Sequence, residues 1–107
     1  KVPLFEKVVS EYCKVNYAVS TNSATSALHL ACLALSLSPG DWLWTTPITF
    51  VASANCGLYC GAQIDFVDID PETYNMSIDS LKHKLLDAEI HGKLPKVIIP
   101  VHFSGQS

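Results

Sequence analysis

The tightest constraint on this chain is a repeated switch between short β-like runs and longer helical runs. Tyr17–Ser20, Trp42–Thr46, Gln63–Ile69 and Lys96–Phe103 read as strands. They are short, rich in β-branched or aromatic residues, and bounded by Gly, Pro, Asp or Ser. Helical runs separate them, over about Ser23–Leu37, Val51–Tyr59 and Ile78–Ile90. A further amphipathic helix leads the chain over Val2–Lys14, with Leu4, Phe5, Val8, Val9, Tyr12 and Cys13 at helical spacing. Strands that alternate with helices can pair in parallel only through crossovers, and these are right-handed. The expected fold class is therefore α/β, a mostly parallel sheet with helices on both faces.

Local signals place the ends of these elements. Pro3 suits an early helical position, and Ser77 suits the N-cap of the last helix. Gly61 and Gly92 follow helical runs as C-terminal stops. Pro39-Gly40-Asp41 and Asp70-Pro71-Glu72-Thr73 are turns. The second helix, over Ala27–Leu35, is apolar around most of its surface and should be covered on several sides. In the fourth helix Ile78, Leu81, Leu85 and Leu86 form the expected inner face. No linker or composition shift divides residues 1–107, so a single domain without internal boundary is expected.

Composition excludes several function classes. The chain carries a net charge of −3 without a basic cluster, which argues against nucleic-acid binding. Its apolar runs are too short to cross a bilayer, so no membrane association is expected. Cys13, Cys32, Cys56 and Cys60 lack the paired spacing of a structural zinc site. They read as small buried hydrophobes in a reducing, cytoplasmic setting.

In parallel α/β sheets, ligands sit beyond the carboxyl ends of the strands. That rule gathers three segments: Asn22–Ser26, Thr46–Phe50 and His102–Gln106. The first is a turn of small polar residues opening a helix. Its free N–H groups and the positive end of the helix dipole suit a phosphate, and the same residues equally suit a simple N-cap. Phe50 follows a strand and a Pro-containing turn, where its ring either covers the sheet end or stacks on a flat ligand. His102 is the acid–base residue nearest this edge. His29 falls inside the second helix as a core or interface residue, and His83 and His91 lie on or near an exposed helix side. Asp68 and Asp70 suit a turn better than a catalytic pair. The seven lysines fall on exposed helix faces or strand starts, away from that edge. A glycine-rich dinucleotide turn, a P-loop and a Gly-x-Ser-x-Gly elbow are all missing.

Four segments together carry a family resemblance: NSATSALHLA, SPGDWLWTTPITFVASANCGLYCGAQIDFVDID, YNMSIDSLKHKL and KVIIPVHFSGQ. They resemble the DegT/DnrJ/EryC1/StrS sugar aminotransferases, and the likeness runs from about Phe5 to Gln106. The family pattern is a Ser-Gly-Thr-type turn, then Pro-x-x-Thr-Phe, Phe-x-Asp and Val-His-x-x-Gly. Here Ala24 stands where many members have Gly. The resemblance implies the N-terminal part of the large domain of a type I pyridoxal-phosphate enzyme. It implies pyridoxal 5'-phosphate as cofactor, with Ala24 and Thr25 holding its phosphate and Phe50 stacked on its ring; His102 receives no firm role. It further implies glutamate as amino donor, a 4-keto nucleotide sugar as acceptor, and a homodimer. Thr46–Ala52 (TPITFVA) is most similar to the branch that aminates a UDP-4-keto-6-deoxy-N-acetyl-altrosamine-type sugar in the pseudaminic acid pathway. The family's cofactor-binding lysine and its ring-nitrogen carboxylate match nothing within these residues. The expectation is a fragment of such an enzyme, inactive alone. The rival expectation is a non-catalytic binding or assembly module of the same fold.

Overall fold

A computed structural model describes all residues, Lys1–Ser107. Four helices and three strands follow in the order α1 (Val2–Cys13), α2 (Ala24–Ala34), β1 (Trp42–Thr45), α3 (Ala52–Tyr59), β2 (Gln63–Phe66), α4 (Ile78–His91) and β3 (Val97–Ile99), with a final 3-10 turn at Phe103–Gly105. The sheet is parallel throughout, in the order β2-β1-β3. The chain moves from β1 to β2 in one direction, then back across β1 to β3. With a constant crossover hand, that reversal puts the two connecting helices on opposite faces.

The side chains of β1 show the result. Leu43 points to the α2/α3 face and is fully buried with Cys32, Leu37, Cys56, Ala62 and Val97. Trp44 points to the other face and packs with Val67, Met76 and Ala88, flanked by Trp42, Leu81 and Leu85. This is strand alternation serving two cores. On the first face α3 lies so close that a Cβ on Gly57 would come within 3.2 Å of Leu43 Cβ.

Several expectations change. Tyr17–Ser20 takes no regular secondary structure and joins no ladder. A strand needs a partner edge, β1 already holds β2 and β3 on its two sides, and the outer edges of β2 and β3 take no further strand. The strands also end earlier than the apolar runs, at Thr45, Phe66 and Ile99. Helix α2 is covered on one side only. Cys32 is its single buried residue, and Ala27, Leu30, Ala31 and Ala34 line an apolar cleft with Val19 and Thr21. In α4 the inward residues are Leu81, Leu85 and Ala88, while Ile78 and Leu86 are exposed. Leu86 lies about 100° around the helix from Leu85, off the inner face. Helix α1 forms as expected, yet buries no residue.

The polar residues close the frame. Lys84 does not sit on an exposed face: its Nζ lies 5.1 Å from the Trp44 ring centre and 2.7 Å from Asp65 Oδ2. Burial would raise the Asp65 carboxyl, but the Lys84 and Phe66 N–H contacts outweigh it and hold it below the usual carboxylate range. Asp70 is a turn residue, accepting from Glu72 N at 2.8 Å. His29 is half-buried and packs on Tyr59, ring centres 5.2 Å apart. His83 and His91 are exposed, each bonded through Nδ1 to the carbonyl four residues back. No cluster of His, Cys, Asp and Glu has a metal-binding arrangement, and no helix is long and apolar enough to cross a membrane.

Candidate functional site

The site grows from the start of α2. Ser23 is the N-cap, with extended backbone and its Oγ accepting from Ser26 N at 3.1 Å. Ser26 Oγ donates to Asn22 Oδ1 at 2.8 Å, and Thr21 Oγ1 donates to Ser23 O at 2.8 Å. These bonds lock the turn through its own hydroxyls. Ala24 N–H and Thr25 N–H, the first two of the helix, have no acceptor within the chain. The Thr25 hydroxyl is also unengaged, since every side-chain bond of the turn runs between Thr21, Asn22, Ser23 and Ser26. Adjacent free N–H groups on a helix start, backed by its dipole, form an anion-facing surface.

Helix α2 ends next to the turn that enters β1, so its first turn lies toward the carboxyl end of that strand. Thr46–Phe50 leaves β1 at the same end. Thr45 and Thr46 are buried, with Thr45 Oγ1 donating to Ile99 O at 2.9 Å, which ties β1 to β3 at this edge. Thr49 Oγ and Ser53 Oγ lie 3.0 Å apart and pin the entry into α3. Phe50 stands just before that helix and is 73% exposed. Its ring is not the cover of the sheet end, which leaves a face open for stacking.

The third segment follows β3. His102 is exposed at the start of the closing turn. A residue the sequence did not signal holds this turn: Asn75 Oδ1 accepts from Phe103 N at 2.8 Å, and its Nδ2 donates to Gln106 O at 3.0 Å. Tyr74 packs edge-on against Phe103, ring centres 5.4 Å apart. Two contacts across 28 and 31 residues leave no local trace in a sequence. The second missed residue is Glu6 on α1. Its Oε1 accepts from both the backbone N and the hydroxyl of Ser20, each at 2.8 Å. Helical periodicity presents Glu6 only as part of a charged outer face.

The three segments are nearly free of charge, with His102 their one titratable side chain. The arrangement can bind an anionic group through backbone N–H and support a flat ring beside Phe50. It offers no nucleophile–base pair among its own residues.

The sequence as a whole matches the DegT/DnrJ/EryC1/StrS aminotransferase family over residues 1–107, and the chain belongs to that family. It is 44% identical to the GDP-perosamine synthase of Caulobacter vibrioides over 95% of its own length and 26% of the relative's. It is 43% identical to the UDP-4-amino-4,6-dideoxy-N-acetyl-beta-L-altrosamine transaminase of Campylobacter jejuni, over 100% of this chain and 27% of that protein. Among solved structures it superposes on a DegT/DnrJ/EryC1/StrS aminotransferase from Brucella abortus with a TM-score of 0.89 at 34% identity, covering 99% of this chain and 29% of that one. The chain thus spans about a quarter of the length of the curated relatives it matches.

Proposed function

We propose that this chain is the phosphate-gripping part of the large domain of a pyridoxal-phosphate aminotransferase. That enzyme transfers an amino group from glutamate to a 4-keto nucleotide sugar for surface polysaccharide synthesis. One observation carries the reading: the acceptor-less N–H groups of Ala24 and Thr25 open α2 at the edge where the Phe50 ring is exposed. A phosphate bearing a flat aromatic ring matches both features. Ala24 and Thr25 would receive the phosphate through their N–H groups and the Thr25 hydroxyl, and Phe50 would lie against the ring. Ala at position 24 adds one methyl where many family members have none, and the N–H it contributes is unaffected. Pyridoxal phosphate, when bound, supplies a pyridinium electron sink for breaking bonds at the carbon next to nitrogen.

Glutamate as donor and a 4-keto nucleotide sugar as acceptor are what the family resemblance implies. The two relatives above carry different nucleotides in their names, GDP and UDP, at nearly equal identity. The TPITFVA segment favours the UDP-4-keto-6-deoxy-N-acetyl-altrosamine type. Homodimeric assembly fits the bare apolar side of α1, and cytoplasmic work fits four free thiols. The 107 residues alone, without a lysine at this edge, are expected to be inactive.

The test follows the visible absorption of the full-length protein with pyridoxal phosphate, before and after glutamate, and then assays amine transfer to UDP- and GDP-linked 4-keto sugars by mass spectrometry. A glutamate-dependent spectral change and an aminated sugar are expected. Thr25→Ala should weaken cofactor binding roughly 10-fold through the lost charge-assisted contact, and Phe50→Ala should weaken it through the lost stacking face. A full-length protein that holds no cofactor would instead favour the non-catalytic module.

A further inference from the structure

Helix α1 lies outside the packed body, and so does the segment that enters the phosphate turn. Asn16–Thr21 makes no backbone–backbone hydrogen bond, neither to a strand nor to a helix. Leu4, Phe5, Val8 and Tyr12 on α1 are exposed. Within this arm a single hydrogen-bonded pair joins helix to segment: Glu6 Oε1 accepts from Ser20 N and Ser20 Oγ, both at 2.8 Å. Bonds to a charged acceptor are about twice as strong as neutral ones. The Glu6 carboxyl accordingly lies below its ordinary value, chiefly through the Ser20 backbone bond and then the hydroxyl bond.

The position of Ser20 gives this pair its consequence. The next residue, Thr21, is bonded through its hydroxyl to Ser23 O. Asn22 and Ser23 are bonded to Ser26. The Glu6–Ser20 pair therefore sits one peptide bond before a turn whose own side-chain bonds present Ala24 N–H and Thr25 N–H. Beyond the apolar edge that Val19 and Thr21 share with α2, this ladder-free segment has no other hydrogen bond to the rest of the fold. Local opening of such a segment costs little unless a specific contact holds it.

We propose that Glu6 is a positioning residue for the phosphate grip: by clamping Ser20 it fixes the approach to α2 and so the aim of the Ala24 and Thr25 N–H groups. This rests on the phosphate reading above. Glu6 touches no cofactor atom in this scheme and acts through Ser20. Its carboxylate also occupies the Ser20 N–H and hydroxyl, so an arriving phosphate is directed to residues 24 and 25 rather than to Ser20.

The experiment compares the affinity of the full-length protein for pyridoxal phosphate with its affinity for pyridoxal, which has the ring but no phosphate. Fluorescence or absorbance titration reads both. Glu6→Ala should lower pyridoxal-phosphate affinity about 10-fold and leave pyridoxal affinity within about twofold, since roughly 1.4 kcal/mol of positioning corresponds to a factor of ten. Glu6→Gln keeps an acceptor oxygen at the same reach and should restore most of the phosphate preference. Ser20→Ala removes the hydroxyl bond, retains the backbone bond and should fall between them. If Glu6→Ala fails to fold, Glu6→Gln and Ser20→Ala carry the test. A Glu6→Ala protein that binds both ligands like the parent overturns the proposal, as does one in which both affinities fall together, because that is a general loss of structure. Should the parent itself bind the two ligands equally, the phosphate reading fails, whatever Glu6 does.

Discussion

Two regions of this molecule obey different rules. The body around β1 is a closed physical argument: parallel strands on both sides, α2 and α3 on one face, α4 on the other, and Leu43 with no exposed surface. The arm, α1 plus Asn16–Thr21, has equally clear local signals and almost no tertiary partner. Its helix carries Pro3 in its first turn and ends in a left-handed Lys14, φ 54°. Yet Tyr12 is 88% exposed. Secondary structure can thus be written locally while burial cannot. The body is held by apolar area, the arm by one carboxylate.

The widest gap between the regions should appear in thiol chemistry. Cys13 on α1 is exposed, whereas Cys32 and Cys56 are buried between α2 and α3. Burial, reinforced by the Cys56 contact, pushes the Cys32 thiol up to about 12. Alkylation followed by mass spectrometry should modify Cys13 at least about a hundredfold faster than Cys32, because Cys32 must wait for opening of the body. Comparable rates would dissolve the distinction between body and arm.

Core truncation gives the next contrast. Leu43→Ala should cost about 3–5 kcal/mol in urea unfolding, while Val8→Ala on α1 should stay within about 0.5 kcal/mol. Gly57→Ala should cost roughly 1–3 kcal/mol, since the new methyl meets Leu43 Cβ at 3.2 Å and Ile64 must move. A Val8→Ala loss as large as that of Leu43→Ala would mean the arm is packed after all.

Acid should produce the smallest effect. The Glu6 and Asp41 carboxyls lie below their ordinary values of 4.5 and 3.8, each chiefly through a backbone N–H, from Ser20 and Ser38 respectively. A depressed carboxyl stabilises the fold above its unfolded value, and that contribution is lost as pH falls through the folded one. Amide signals of Asn16–Thr21 should therefore begin to move below about pH 4.5, ahead of β1 signals. Glu6→Gln should abolish the arm's transition and leave that of the Ser38–Asp41 turn.

Much of this was legible in residue order. Helices α1, α3 and α4 follow their periodicity, caps and glycine stops to within a residue or two. The β1 and β2 starts follow the residues after Pro39-Gly40 and Gly61. The capped turn before α2 was legible because small polar residues before an apolar helix have a local meaning. The errors share one cause. Tyr17–Ser20 has strand composition without a strand partner, Ile78 and Leu86 have apolar side chains without a covering surface, and Lys84 has a charge that an aromatic ring and Asp65 took in. The two side chains that tie the site together, Glu6 and Asn75, are polar residues whose partners are 14 to 31 positions away.

The sequence by itself determined which segments are helical and which small polar turn caps α2, because propensity, capping and hydrophobic period act over a few neighbours. Tertiary structure alone decided the strand order β2-β1-β3, the division into two cores, and the assignment of Ser20 to Glu6. Those depend on which edges and donors remain free once the strands have paired, and no local pattern encodes a vacancy.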